Sequence, residues 1–292
     1  MAKWQGKSKA NVTGYKIFGF FINTLGVRAA YFILLFVSSY YVFFSRKSTA
    51  AIVSFYRDKL KLPALKAYRL LYTNYFRFGQ TLIDRFAILA GASTKFTFEF
   101  DGEHHLQEMV ARGRGGILLS GHAGNWEIAG QMLHRLNTPV NVVMYDGEDQ
   151  NIKQYLEKSA NKRFKVIFIG NDLSHIFKIN EALAANELIC MHADRFLPGN
   201  KTLTTDFLGS PAQFPEGPFL LTLKLRVPTA FVYAFKESAT HYHLYSTPIK
   251  DYSSAKQDSV QSIARDYVQS LESMVRRYPE QWFNYYDFWK NN

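Results

Sequence analysis

The stretch GGILLSGHAGNWE, residues 115–127, runs from a short apolar segment through a glycine-containing turn into a helical pattern. Short apolar runs bounded by turn signals are typical of buried strands, and glycine allows the tight backbone that such a turn needs. We expect the helix to begin near Asn125. His122 then lies in the turn, and Glu127, five positions further on, lies in the first helical turn.

Strands and helices alternate on both sides of this stretch. Seven β-rich runs predict strands at residues 95–100, 115–120, 139–145, 164–169, 187–192, 228–235 and 242–247. Helical patterns cover residues 48–60, 63–91, 103–113, 125–136, 149–162, 173–186, 217–225 and 253–278. Such alternation predicts an α/β fold with a mostly parallel or mixed central sheet flanked by helices on both faces.

Composition narrows the class of protein. A hydrophobic content of 47% and an aromatic content of 16% exclude a disordered chain. The net charge of +11 favours an anionic partner, which is a nucleic acid, an anionic membrane face or an acidic substrate. The single cysteine, Cys190, excludes an internal disulfide framework, and its apolar surroundings favour an inert core thiol.

Residues 1–47 are basic at first and then strongly apolar and aromatic. The uncharged run from Ala29 to Phe44 would measure ~24 Å as a helix, slightly less than the ~30 Å core of a bilayer. Polar residues around Leu25 and Gly26 predict two helices joined there. We expect an anchor that lies in or dips into the membrane interface, with a buried helical hairpin of a soluble protein as the alternative.

The position of His122 suits proton transfer, because active sites on such sheets form at the carboxyl ends of strands. A neighbouring carboxylate such as that of Glu127 fixes the tautomer of an imidazole and stabilises the imidazolium, as general base catalysis requires. Ser120 lacks the G-x-S-x-G context of a nucleophile, and Cys190 has no nucleophile signature, so no covalent intermediate is expected.

The stretch GGILLSGHAGNWEIAG (115–130) resembles the first block of the bacterial lipid A late acyltransferases, within the lysophospholipid acyltransferase superfamily. The resemblance continues through ELICMHADRFLPG (187–199), the segment from FLGSPAQFPEG to PTAFVYAF (207–235) and YPEQWFNYYDFWK (278–290). The superfamily has a catalytic H-x4-D/E pair, which His122 and Glu127 match.

This resemblance implies an O- or N-acyltransferase that moves a fatty acyl group from an acyl carrier protein or coenzyme A thioester to a lipid hydroxyl or amine. His122 would take the acceptor's proton and Glu127 would hold the imidazole. The acyl donor is a substrate, and neither a cofactor nor a metal is expected. The implied location is the cytoplasmic face of a bacterial inner membrane, with residues 1–47 as the membrane-association segment and residues 48–292 as the acyltransferase domain.

Five further residues are candidates for substrate binding: Asn125, Asp194, Arg195, Glu216 and Gly217. Asn125 either touches substrate or caps its helix. Asp194 and Arg195 follow a strand and either bind a polar head group or pair with each other in a turn. Glu216 and Gly217 lie in FPEG, which resembles an acceptor-binding block of the superfamily and is also typical of a tight turn before a helix.

The remaining histidines are given structural roles. His241 and His243 share one face of a strand, but the sequence offers no nearby ligand pattern, so an exposed edge is favoured over a metal site. The alternative function is a non-catalytic, basic membrane- or nucleic-acid-binding protein. The aromatic residues stand mostly in apolar runs and no nucleic-acid-binding motif is present, so nucleic acid is not expected as a partner.

Overall fold

A mixed sheet forms the centre of the computed structural model, which describes residues 26–89, 96–126, 128, 134–145, 164–170, 172–252 and 259–289. The described strands are β1 Thr97–Asp101, β2 Gly116–Ser120, β3 Val140–Tyr145, β4 Lys165–Ile169, β5 Leu188–His192, β6 Thr202–Asp206, β7 Pro211–Pro215, β8 Pro228–Lys236, β9 His241–Ser246 and β10 Lys250–Asp251. All seven predicted strands are among them.

The order of strands across the sheet is β1-β9-β8-β2-β5-β3-β4, and β10 pairs with β8. Neighbouring strands run parallel except at the β8–β9 and β8–β10 pairs. Ile117 and Leu119 of β2 pack into one hydrophobic cluster, while Leu118 packs into a second cluster on the opposite face. The predicted fold class, with a mostly parallel sheet covered on both faces, is confirmed.

The described helices are α1 Val27–Phe44, α2 Arg46–Ser54, α3 Ala64–Leu89, α4 Glu103–Ala111, α5 Ser174–Ala184, α6 Glu216–Leu225 and α7 Val260–Arg277. A π-helical turn, Phe55–Lys59, follows α2, and short 3-10 turns cover His134–Leu136 and Pro279–Gln281. The predicted helix at 149–162 and the predicted first N-terminal helix lie outside the described residues, as does half of the helix predicted at 125–136.

Strands β6 and β7 form an antiparallel pair that the sequence did not predict. Proline begins and ends β7, and β6 is mostly polar, so neither segment shows the apolar alternation by which strands are recognised. The pair is anchored in the core by three buried residues, Phe207 and Leu208 in its turn and Phe214 in β7. Tertiary packing therefore determines this pair more than local preference does.

Helix α1 packs along α3. A Cβ atom at Gly79 of α3 would lie 2.2 Å from Cδ1 of Leu34, so the glycine permits this close approach. The opposite side of α1 is apolar and exposed in the described part of the chain, at Phe32, Leu35, Phe36, Tyr40, Tyr41, Phe43 and Phe44. Among the described residues, α1 is the helix long and apolar enough to cross a membrane, by length and composition alone.

A buried ion pair joins α3 to the end of β8. Nζ of Lys236 lies 2.6 Å from Oδ2 of Asp84, and both side chains are almost fully buried. The hydroxyls of Tyr31 on α1 and Tyr242 on β9 also donate to Asp84. Lys236 donates a second hydrogen bond to the carbonyl of Ala239 at 2.7 Å. One carboxylate therefore connects α1, α3, β8 and β9.

Removal of one partner of this pair is expected to leave an uncompensated buried charge. Lys236→Met should lower the free energy of unfolding by about 3–5 kcal/mol, measured by urea denaturation. The control is Lys250→Met, at an exposed pair in which Nζ lies 2.9 Å from Oδ2 of Asp266. It should cost ~0–1 kcal/mol. Equal losses in the two variants would contradict a structural role for the buried pair.

Candidate active site

The turn after β2 carries His122 and is held by the C-terminal segment of the chain. The carbonyl of His122 accepts a hydrogen bond from the backbone N–H of Phe283 at 3.0 Å. The N–H of Gly124 donates to the carbonyl of Gln281 at 2.8 Å. Because backbone groups of a distant segment bind both sides of the turn, the position of the imidazole depends on the end of the chain.

Gly124 is required by the shape of the turn. Its φ is +73°, and a Cβ atom there would lie 2.0 Å from the carbonyl oxygen of Ala234 in β8. The next residue, Asn125, donates its N–H to that same carbonyl at 2.7 Å. The turn therefore lies directly against the end of β8, where any larger residue at position 124 would clash.

His122 pairs with Asp194. Its Nδ1 lies 2.7 Å from Oδ1 of Asp194, and its backbone N–H donates to Oδ2, also at 2.7 Å. The parallel register of β2 with β5 places Ser120 opposite His192, so the segments that follow these two strands emerge side by side. Asp194 is thus brought to His122 across 72 positions of sequence.

The charges around this pair favour a neutral imidazole. Burial and the positive charge of Arg195 lower the pKa of His122 below its ordinary value of 6.5, although Asp194 partly opposes them. Burial by itself would raise the pKa of Asp194, but His122 and Arg195 hold it well below its usual range. With Nδ1–H donating to the carboxylate, the lone pair of Nε2 is available, and the side chain of His122 is 26% exposed.

The ring of His192 lies beside that of His122, with centroids 4.4 Å apart and the ring planes tilted by 35°. Burial, together with the neighbouring His122, lowers the pKa of His192 to about 3, so this ring stays neutral. The edge of Trp126 meets His192 at a centroid distance of 5.4 Å. Trp126 therefore packs against His192, which in turn lies against His122.

Arg195 does not pair with Asp194 among the described residues, so the turn proposed for these two side chains is not the arrangement found. Its Nη2 donates instead to the carbonyl of Phe283 at 2.5 Å, and its guanidinium lies over the ring of Tyr286 at 5.9 Å. Arg195 therefore holds the C-terminal segment while adding positive charge beside His122.

The other predicted residues have different surroundings. Asn125 is buried; its Oδ1 accepts from the N–H of Ile128 at 3.4 Å, and its amide donates to the hydroxyl of Tyr242 at 3.2 Å. These contacts suit the capping role. Glu216 and Gly217 begin α6, and in the described chain no hydrogen bond joins either residue to His122 or Asp194. Glu127 lies outside the described residues, so its pairing with His122 stays a prediction.

Several contributors to the site were not assigned from the sequence. The hydroxyl of Tyr267 on α7 donates to the carbonyl of Ser120 at 2.8 Å, and a Cβ atom on Gly121 would lie 2.9 Å from that hydroxyl. The closing block of the sequence (278–290) was the available signal for the C-terminal contacts. Cys190, expected to be inert, has its pKa raised to about 12 by burial and stays a thiol.

Comparison with known proteins identifies the family. A family model described as bacterial lipid A biosynthesis acyltransferase matches residues 63–291. The chain belongs to the bacterial lipid A biosynthesis acyltransferase family.

Curated relatives of this family member are phosphatidylinositol mannoside acyltransferases. The protein from Mycobacterium tuberculosis is 27% identical over 42% of this chain and 39% of its own length. That from Mycolicibacterium smegmatis is 25% identical over 61% of this chain and 51% of its own length. The matches thus span about half of these relatives or less.

A solved structure, the 1-acyl-sn-glycerophosphate acyltransferase PlsC from Thermotoga maritima, shows a distant likeness. It has 13% identity and a TM-score of 0.38, and the match covers 83% of this chain and 95% of that chain. At this level of similarity it adds nothing to the family assignment.

The electrostatics of the His122 pair can be measured directly. We expect the imidazole of His122 to titrate below 6.5 and to titrate lower still in Asp194→Asn, because the carboxylate is the group that favours the imidazolium. NMR of histidine-labelled protein measures both pKa values. Asp251→Asn, at a side chain 51% exposed, is the control and should leave the titration unchanged. A pKa above 6.5 for His122 would contradict the assignment.

Proposed function

We propose that this acyltransferase-family protein moves a fatty acyl group from an acyl carrier protein or coenzyme A thioester to a hydroxyl or amine of a lipid. The observation that carries the proposal is the pair of His122 with Asp194 at the carboxyl end of β2. The imidazole is neutral, is oriented by a buried carboxylate and is partly exposed. A general base needs this arrangement.

The proposed reaction has one tetrahedral intermediate. Nε2 of His122 accepts the proton of the acceptor hydroxyl or amine while its oxygen or nitrogen forms a bond to the thioester carbonyl carbon. The intermediate then collapses with cleavage of the carbon–sulfur bond, and the imidazolium returns the proton to the departing thiolate. Asp194 keeps Nδ1 protonated and stabilises the imidazolium between these steps. The acyl group passes directly to the acceptor, without an acyl-enzyme.

We assign the orienting carboxylate to Asp194 because both of its oxygens already bind His122. Glu127 keeps its proposed place as the acidic residue of the H-x4-E motif, and Arg195, Glu216 and Gly217 keep theirs as substrate-binding residues. The positive charge of Arg195 beside the imidazole suits an anionic intermediate or a phosphate-bearing substrate.

We further propose that the protein works on the cytoplasmic face of a bacterial inner membrane, where thioester donors are available. The exposed aromatic side of α1 is continued by Leu65 and Tyr68 at the start of α3, both exposed. Exposed basic residues lie on or next to the same helices, at Arg28, Arg46, Lys47, Lys61, Lys66 and Arg69. Aromatic side chains rimmed by lysine and arginine favour binding to an anionic bilayer surface.

The acyl transfer is tested with purified protein, radiolabelled acyl-carrier-protein and acyl-coenzyme A donors, and lipid acceptors. The names of the family and of its curated relatives both point to glycolipids, so the acceptor panel begins with these and with total lipid from the host. We expect His122→Ala and Asp194→Asn each to lower kcat by about 10²–10⁴-fold, since a positioned base supplies that much. Label transferred to lipid is the measurement.

In the same assay, Glu127→Gln distinguishes the role of Glu127 from that of Asp194. If Asp194 orients the ring, Asp194→Asn loses far more activity than Glu127→Gln; the reverse result would return that role to the H-x4-E motif. Activity of His122→Ala equal to wild type would reject the base. Failure of every donor and acceptor with the wild-type protein would leave the alternative, a non-catalytic membrane-binding protein.

Membrane attachment is tested by flotation with vesicles that contain anionic phospholipid. Phe36 and Phe43 are 66% and 73% exposed on α1. Their joint replacement by serine should weaken vesicle binding at least ~10-fold, because full burial of such a side chain contributes about 1.5–3 kcal/mol. The matched control replaces Leu173 and Phe177, which are 70% and 71% exposed in and beside α5. Equal loss in both variants would contradict a surface centred on α1.

A further inference from the structure

A second cluster of histidines and carboxylates lies where β1, β9 and the β8–β9 turn meet. The parallel pairing of β1 with β9 places Glu99 directly opposite His243, and Thr97 opposite His241, so these side chains share one face of the sheet. Glu237 follows β8 on the same side. The sequence favoured an exposed edge for His241 and His243. The sheet order corrects that expectation, because β1 covers β9 and His243 is buried.

Three residues of this cluster have donor atoms close enough to share an ion, and His243 lies beside two of them. One ligand atom from each of Glu99, Glu237 and His241 lies within 4.8 Å of the other two. Nδ1 of His243 lies 3.3 Å from Oε1 of Glu237 and 4.0 Å from Oε2 of Glu99. Atoms that bind one zinc ion at about 2.0–2.2 Å lie roughly 3–4 Å apart, so small side-chain rotations suffice.

His241 is already oriented as a metal ligand would be. Its Nδ1 lies 2.8 Å from Oγ1 of Thr97, while its Nε2 is 3.7 Å from Oε2 of Glu99. Glu237 is held in turn by the hydroxyl of Tyr278, which donates to Oε1 at 2.6 Å. Metal-binding histidines and carboxylates commonly have such outer hydrogen bonds, which fix the tautomer and the ring orientation.

The burial of His243 and the missing hydrogen bond at its Nε2 are a second, independent observation in favour of an ion. Its side chain is only 8% exposed, and its Nε2 is buried without a hydrogen bond among the described residues, 3.2 Å from Oδ2 of Asp101. A buried polar atom without a hydrogen bond is costly. Binding of an ion at Nδ1 would fix the proton on Nε2, facing the Asp101 carboxylate, and form a carboxylate–histidine–metal arrangement.

We propose that His241 Nε2, His243 Nδ1, Glu99 and Glu237 bind a divalent transition-metal ion, with zinc as the best match to two imidazoles and two carboxylates. The ion would join edge strand β1 to the β8–β9 turn. That turn contains Ala239, whose carbonyl accepts from Lys236 and Tyr31. The site is therefore structural, and it stabilises the turn against which α1 is held.

A rival group lies at the active site, where donor atoms of His122, His192 and Asp194 also fall within 4.8 Å of one another. There Nδ1 of His122 is already hydrogen-bonded to Asp194, whose second oxygen accepts from the His122 backbone. An ion would have to replace these bonds. In the cluster on β9, Nδ1 of His243 contacts Oε1 of Glu237 at 3.3 Å, longer than the 2.7 Å bonds between His122 and Asp194. An ion would replace a weaker contact there, so the cluster on β9 is the better site.

The test uses the full chain after EDTA treatment and dialysis. Zinc titration by calorimetry should show one site, metal analysis should show one bound zinc, and cobalt should give tetrahedral absorption bands. His241→Ala and the exposed-site variant Glu99→Gln should each weaken binding at least tenfold and abolish the increase in Tm caused by zinc. Thr97→Val should weaken it by roughly 10–100-fold through the outer hydrogen bond.

Two matched variants complete the design. His104→Ala removes an exposed histidine on α4 and should leave zinc affinity unchanged. His122→Ala should also leave it unchanged; loss of zinc binding there would move the ion to the active site and overturn the proposal. Absence of zinc binding at micromolar concentration in the wild type, or unaltered binding in correctly folded Glu99→Gln, would overturn it as well.

Discussion

The buried charge of Asp84 is the constraint on which the arrangement around the active site depends. A carboxylate in the interior needs donors on every side, and here Lys236, Tyr31 and Tyr242 supply them. Tyr242 in turn accepts from the amide of Asn125, three positions after His122. The apolar helix α1 and the turn that carries His122 are therefore tied to one carboxylate.

The C-terminal segment supplies the second constraint. Gln281 and Phe283 bind the backbone of the turn around His122, and Arg195 donates to the carbonyl of Phe283. The aromatic side chains of this segment are anchored in the main core; Trp282, for example, packs edge-on against Phe55 with centroids 4.6 Å apart. Packing energy from the core thereby orders a short turn that contains two glycines and would otherwise be mobile.

Whether a feature of this structure can be predicted from the sequence depends on how far apart in the chain the interacting residues lie. Strands β2 and β8 were predictable because a strand buried on both faces is apolar throughout, and every residue of both is buried. The β6–β7 pair was missed because its polar strands carry no such signal. His122 became a candidate because it lies between a predicted strand and a predicted helix, in a turn with glycines. The contact of Asp194 with His122 depends on the register of β2 with β5, which local pattern does not contain.

The two histidine clusters show how the same residue types acquire different chemistry from their surroundings. At His122, both oxygens of one buried carboxylate bind a single residue. Burial and the neighbouring Arg195 lower the pKa of the ring, which favours proton transfer at the remaining nitrogen. At His243, carboxylates face both ring nitrogens, and two of them are on exposed β1 residues. Excess negative charge there favours a cation, in a chain whose net charge is +11. The proposed base and the proposed metal ligand thus differ in the ratio of carboxylates to imidazoles around each ring.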